Sequence, residues 1–297
     1  MFKPTCALLL SFAAMTSAAA ATNVPDAVTR TNLIASSSVV LGGRAEVVAD
    51  TFGTHQSSYG GGQAQAGATI GANGAGVPFI AYSASASGRS FALATAQLDY
   101  HWSVAGAAAA GELVPVTITT LGSVWGQVTA RAMQPNDQVD ASADWLTSNV
   151  STSLSTWSVG GRQEHRGYGV NLGYDVGTTR SAPGGSVTSN DSAAFSETFT
   201  VMVFPNAGNR VVMDVYGSAG NPYLYNSTDV AFSWALGGYI DPIITIDAAF
   251  ADRFSVVQSS IPIVAAPVPE ASTLMMMFCG LAGLLLAVRR HSAAGLR

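Results

Sequence analysis

Cysteine is nearly absent from this chain. Two occur in 297 residues, Cys6 and Cys279, and each lies in a hydrophobic end. Residues 22–266 between them carry none, which excludes a disulfide framework and thiolate chemistry there. Lysine is scarcer still, with Lys3 the single example. Residues 22–266 hold nine arginines against seventeen acidic residues, a balance of −8. Such a surface has no bulk attraction for nucleic acid or anionic lipid, so neither is expected as a partner. Metal and nucleophile signatures are missing too. His55, His101 and His165 are far apart in sequence and form no HxH or HExxH spacing. The Gly-x-Ser-x-Gly elbow of serine hydrolases does not occur.

What is abundant is Ala, Gly, Ser and Thr in alternating order. Phe91 to Val104 reads as one extended strand with a bulge near Gln97-Leu98, and Leu113–Thr119 and Gly122–Met133 read as two more. Further strand candidates are Ser153–Val159, Tyr168–Val176, Ala194–Phe204, Arg210–Tyr216 and Thr228–Leu236, with one or two within Thr29–Asp50. Turn residues bound each of them, as in Pro205-Asn206-Ala207-Gly208-Asn209. Pro115 is placed near an edge or a strand start. Thr51–Gly76, with few large apolar residues, reads as a long loop, and Asp144–Ser155 as a short helix or irregular arm. The glycines at Gly60-Gly61-Gly62 and Gly71–Gly76 do not fit a phosphate cradle, which needs a strand before it, a helix after it and a Lys or Ser/Thr on the phosphate. Eight or more strands without helical periodicity predict a mainly β, antiparallel sandwich or jelly-roll-like domain over residues 22–266. About 245 residues are enough for one large core.

Both ends carry export signals. Met1-Phe2-Lys3, the apolar stretch Cys6–Met15 and the small residues Ser17 to Ala21 make a signal peptide over residues 1–21, cut by signal peptidase after Ala20 or Ala21. At the other end, Ser272 to Val288 holds 17 residues without charge, followed by Arg289-Arg290-His291. As a helix this run covers roughly 26 Å at about 1.5 Å per residue, near the ~30 Å of a hydrocarbon core. The arginines after it would stay in the cytoplasm. Pro267 and Pro269 stiffen an extended segment around Glu270 just before the helix.

This tail, residues 267–297, resembles the sorting signal of the PEP-CTERM family. The matching residues are Val268-Pro269-Glu270, Ser272-Thr273, the glycine-containing helix 272–288 and Arg289-Arg290. Ala271 stands where family members usually carry a second proline. The resemblance implies an exported precursor held in the inner membrane by its tail and then cut by an exosortase-type enzyme, with the product at the cell surface or in the extracellular space. The segment Ile240–Asp247 with Phe250 and Phe254–Val257 is similar to the closing strands of many such surface proteins.

Catalytic residues do not stand out. Asn136, Asp137, Asp140 and Asp144 read as an acidic turn, since calcium loops of the EF type alternate their ligands around a glycine. Asp241 and Asp247 read as strand-end residues flanking Ile243–Ile246, and His101 as a residue of a sheet. Trp125, Trp145, Trp157, Tyr168, Tyr174, Tyr223 and Tyr225 offer flat faces for sugars, although aromatics in sheets are more often packing partners. The expected role is therefore non-enzymatic and without cofactor or metal: structural or adhesive in an exopolysaccharide (biofilm) matrix. Polysaccharide binding is the alternative, and a secreted glycan-active enzyme with two carboxylates about 5 Å apart the third reading. Intact mass and terminal peptides of the protein from its host test the export reading. They should place the start near Ala21 or Thr22 and the end near Pro269-Glu270; an end at Arg297 in the inner-membrane fraction would refute sorting.

Overall fold

The alternation of small apolar and hydroxyl residues is converted into strands along nearly the whole domain. The computed structural model of the protein describes residues 24–37, 43–132, 146–157, 163–174, 186–220 and 230–264. In chain order the strands are β1 Val28–Ser37, β2 Arg44–Ala49, β3 Gly53–Tyr59, β4 Ala64–Ala72, β5 Pro78–Ser87, β6 Ser90–Gly106 and β7 Val114–Ala132. They continue as β8 Leu146–Trp157, β9 Gln163–Tyr174, β10 Ser186–Val203, β11 Asn209–Ala219, β12 Val230–Ile246 and β13 Phe254–Gln258. The first sheet has the order β2-β1-β6-β11-β8-β9, and the second β10-β7-β12-β5-β4-β3. Every strand pairing is antiparallel. The sheets pack face to face around one core, a sandwich-like arrangement. The two chain ends, including Val268, Pro269, Glu270, Ser272, Thr273, Arg289 and Arg290, lie outside the described residues.

On one side of β6, β1 covers Ser90–Asp99 and β13 takes over from Trp102 to Gly106. Ser259 closes the joint between them. Its N–H donates to the His101 carbonyl at 2.8 Å, and its Oγ donates to the Pro25 carbonyl at 2.6 Å and accepts from the His101 N–H at 2.9 Å.

Several expectations are corrected. Thr51–Gly76 is not a loop but the hairpin β3–β4, with Gly60, Gly61 and Gly62 turning it at φ values of 63°, 65° and 95°. Ala64, Ala66, Ala68 and Ala72 point inward with Ile70, against a first sheet that offers Ala92, Ala94 and Ala96. Small residues bury well where the opposing surface is equally small, so the shortage of large side chains was no sign of a loop. Asp144–Ser155 is not a helix or arm over its described part, because β8 begins at Leu146. The two candidates Leu113–Thr119 and Gly122–Met133 merge into one strand, β7, over Val114–Ala132: Gly122 does not break it, since the Phe195 ring occupies the place of its missing side chain. β6 pairs in one unbroken register with both β1 and β11, so there is no bulge at Gln97-Leu98. Pro115 lies just past the β12 ladder, which ends at Val116, so the expected end position holds on that side.

Four strands, β6, β7, β10 and β12, run from 17 to 19 residues, against a usual length of about 3–10. At roughly 3.4 Å per residue they extend about 60 Å. Tyr82 of β5 keys the sheets together. A Cβ on Gly217 of the first sheet would collide with its ring, and one on Gly238 of its own sheet would stand 2.5 Å from Cε1 and 2.8 Å from the hydroxyl. Gly217→Ala should therefore lower stability by about 1–3 kcal/mol, the usual cost of overpacking. Gly208→Ala, where an added methyl meets nothing within 4 Å, should change it by less than about 0.5 kcal/mol. Urea unfolding of both variants checks the contrast; equal effects would remove Tyr82 from the interlock.

Candidate functional site

The outer face of the second sheet is the most distinctive surface of the domain. Alternation puts Val116, Ile118, Val124, Val128 and Ala130 of β7 into the core and Thr117, Thr119, Trp125, Gln127 and Thr129 outside. Strand β10 answers in register with Thr200, Thr198, Ser192, Asn190 and Thr188. The pairs join by side-chain hydrogen bonds: Thr117 with Thr200 at 3.3 Å, Thr119 with Thr198 at 3.1 Å, and Thr129 with Thr188 at 3.0 Å. Gln127 Nε2 donates to Asn190 Oδ1 at 2.8 Å. On the other flank, β12 and β5 place Ser233 opposite Ser87 and Ala235 opposite Ser85. The face of the first sheet differs in kind, with the ion pairs Arg210–Asp99 (2.5 Å) and Arg44–Glu46 (2.8 Å) and a hydrogen bond from Gln97 to Asp214 (2.7 Å).

Trp125 stands out from the hydroxyl array and is 45% exposed. Its cross-strand neighbours are Ser192 and Gly237, neither of which offers an apolar partner. A Cβ on Gly237 would stand 2.7 Å from the indole Nε1 and 2.9 Å from Cε2, so the ring covers that glycine. Beyond Gly237 the same row continues through Ser83 and Gly67, which raise no wall beside the ring. Next to Trp125 along the strands lies a depression of about 250 Å³ lined by Gln63, Ser85, Ser87, Gln127 and Ser233, with Gly62, Ala86, Trp234 and Ala235. The chain fixes its rim at the β5–β6 connection. Ser90 Oγ donates to the Gln63 carbonyl at 2.7 Å and accepts from the Ser87 N–H at 2.9 Å. The lining carries amides and hydroxyls and no ionisable side chain, so it can hold a polyhydroxylated ligand but has no general acid or base to offer.

At the far end of this face sits a different cluster. Asp241 is 7% exposed, accepts from the Tyr239 hydroxyl at 2.8 Å through Oδ2, and has no partner for Oδ1 among the described residues. It lies inside β12, opposite Leu121, rather than at a strand end, because the strand continues through Pro242 to Ile246. The β5 ladder stops at Ile240, which leaves Pro242 a strand neighbour on one side only and makes the proline tolerable. Burial raises the Asp241 pKa, opposed by the Tyr239 hydrogen bond. Burial and then Asp241 itself raise that of Tyr239, and burial followed by the Asp241 charge raises that of Tyr100. Asp247 is the turn residue expected, with Oδ1 accepting from the Ala249 N–H at 2.9 Å.

The remaining candidates are scattered. His55 Nε2 bonds the Thr51 carbonyl at 2.8 Å, and His101 is a half-buried residue of β6, as its setting between Tyr100 and Trp102 suggests. Asn136, Asp137, Asp140, Asp144, Trp145, Tyr223 and Tyr225 lie outside the described residues, as do the side chains of Trp157, His165, Tyr168 and Tyr174. Sequence reasoning named Trp125 but missed Gly237 beneath it and the glutamines and serines beside it. The signal was present in Ser83-Ala84-Ser85-Ala86-Ser87, whose period of two marks one hydroxyl face.

Because the folded pKa of Asp241 is raised above its ordinary value of 3.8, the folded state binds the proton more tightly than the unfolded chain. Its contribution is fully present below 3.8 and is lost as pH rises from there through the folded value. Asp241→Asn should flatten that part of the pH profile and melt higher than the parent at pH 7. Parallel melting curves from pH 3 to 8 check this, and superimposable profiles would refute it.

No family model matches the chain, and no curated protein matches it. Solved structures align over most of its length with little likeness. The structure of the Gt strain of infectious bursal disease virus shows 8% identity, covering 87% of this chain and 73% of that one, at a TM-score of 0.13. T=1 particles derived from infectious bursal virus show 11% identity over 87% and 72%, at a TM-score of 0.09. Likeness this low carries no argument about fold or role.

Proposed function

We propose that the chain is an exported, non-catalytic protein of the cell surface or exopolysaccharide matrix with a structural and adhesive role. The carrying observation is the outer face of the second sheet: hydroxyls and amides in register, with Trp125 laid over Gly237 among them. Such a face can exchange hydrogen bonds with a hydrated polymer through many weak donors and acceptors. The two chain ends support export. Residues 1–21 act as a signal peptide, the helix 272–288 anchors the precursor, and an exosortase-type enzyme cuts near Val268-Pro269-Glu270, with Ser272, Thr273, Arg289 and Arg290 completing the signal. Strands that pass repeatedly from one sheet to the other, as from β5 to β6 and from β6 to β7, fit a jelly-roll-like description of the exported domain. Polysaccharide binding is the more specific second reading, favoured by the open indole of Trp125.

Fractionation of the host tests the adhesive role. The processed protein should remain with the extracellular matrix through salt washes and be released when the polysaccharide is depolymerised. Release by dilute buffer alone, or recovery wholly with the inner membrane, would refute it.

A further inference from the structure

We infer that Trp125 and the depression beside it form a binding site for an uncharged polysaccharide, the ring stacking on a sugar face while Gln127, Ser85 and Ser233 meet its hydroxyls. The inference rests on the adhesive reading above and names its ligand class and its site.

Four observations converge on it. An aromatic in a sheet ordinarily packs against a cross-strand aromatic or branched neighbour, and Trp125 faces only Ser192 and Gly237. Neither directly opposite neighbour is aromatic or branched, and the residue stays 45% exposed. Gly237, lying under the edge of the indole, lets the ring rest on the sheet, and a flat apolar surface with a polar edge suits a pyranose, which has a carbon–hydrogen face and a hydroxyl rim. Gln127 follows two residues later on the same face, about 7 Å along the strand, so platform and depression adjoin and one chain can touch both. The depression itself is lined without charge.

Charge decides between ligand classes. A uronate or sulfated polymer would approach a domain with a balance of −8 and need cations at the site. No arginine lines the depression. Arg210, Arg253 and Arg44 are held by Asp99, Glu112 and Glu46, and Arg89, in the turn between Ser87 and Ser90, stands exposed beside the rim rather than in the lining. Arg131 shares the outer face but lies four residues beyond Gln127, about 13 Å along β7. Neutral polymers meet no such mismatch.

The protein purified from its host, and variants made there, would be run in native gels containing hydroxyethyl cellulose, galactomannan, dextran, the host's own polysaccharide or alginate. Retardation is expected in at least one neutral polymer and not in alginate. Trp125→Ala should weaken association at least about tenfold, Trp125→Phe should keep most of it, and Gly208→Ala, in the turn between β10 and β11, should change nothing. Melting curves confirm that the variants fold; should Trp125→Ala fail to, Gln127→Ala, expected to weaken association several-fold, carries the test. Retention that survives Trp125→Ala in a folded protein overturns the site, while leaving the adhesive role to the matrix fractionation. Retention in alginate alone, or in none of the polymers, overturns the neutral-ligand assignment. So does concentration-dependent self-association that Trp125→Ala abolishes without any polymer retention.

Discussion

Alanine faces alanine across the middle of this molecule, and that constraint governs most of what surrounds it. Ala64, Ala66 and Ala68 of β4 and Ala92, Ala94 and Ala96 of β6 are all buried, and the two strands meet across the sandwich. Interiors must reach crystal-like density, so side chains this short require the backbones themselves to come close. Gly217 and Gly238 lie where the Tyr82 ring passes, and an added Cβ at Gly220 would stand 2.7 Å from the Ala86 methyl. A buried methyl contributes only about 0.8 kcal/mol. Stability then has to come from number, and strands of 17 to 19 residues supply it without a single disulfide.

Long strands in fixed register have a consequence outside the core. A one-residue slip would turn every inward alanine outward, so the same alternation that seals the core holds the outer residues in ranks. On the second sheet those ranks are threonine, serine and amide pairs; on the first they are ion pairs and a carboxylate–amide bond. One sandwich thus presents a face dominated by hydroxyls and amides and another that carries ion pairs.

Strand content and class were legible because period-two alternation survives even when its apolar members are small. Phe91–Val104, Arg210–Tyr216 and Phe254–Val257 all fall within observed strands. What misled was size and punctuation. Ala64–Ala72 lacked bulk, and bulk was used as the mark of a strand, although the opposing sheet makes alanine sufficient. The candidate strands break just before Gly122 and end just before Gly237-Gly238, yet these glycines sit inside β7 and β12, and ring atoms of Phe195, Trp125 and Tyr82 occupy the space a side chain would take. Which ring fills the place of a missing Cβ depends on strand pairing, and pairing between β7, β10 and β12 spans residues too far apart for local pattern to show. Asp241 was misplaced for the same reason: it reads in sequence as the end of a strand beginning at Ile243, whereas β12 runs through it and through Pro242, past the point where the β5 ladder stops.

The doublet Gly237-Gly238 ties core and surface together. Successive residues of a strand point to opposite faces, so Gly237 lies beneath the indole of Trp125 outside while Gly238 makes room for the Tyr82 ring inside. Neither is required for a left-handed backbone, since both sit in extended β12; each is required for space. A side chain at the first would lift the tryptophan from the sheet, and one at the second would push Tyr82 against Gly217 on the opposing sheet. The position of the exposed ring is therefore set by the same close approach that holds the two sheets together, which gives a loop-free surface feature the rigidity of the core.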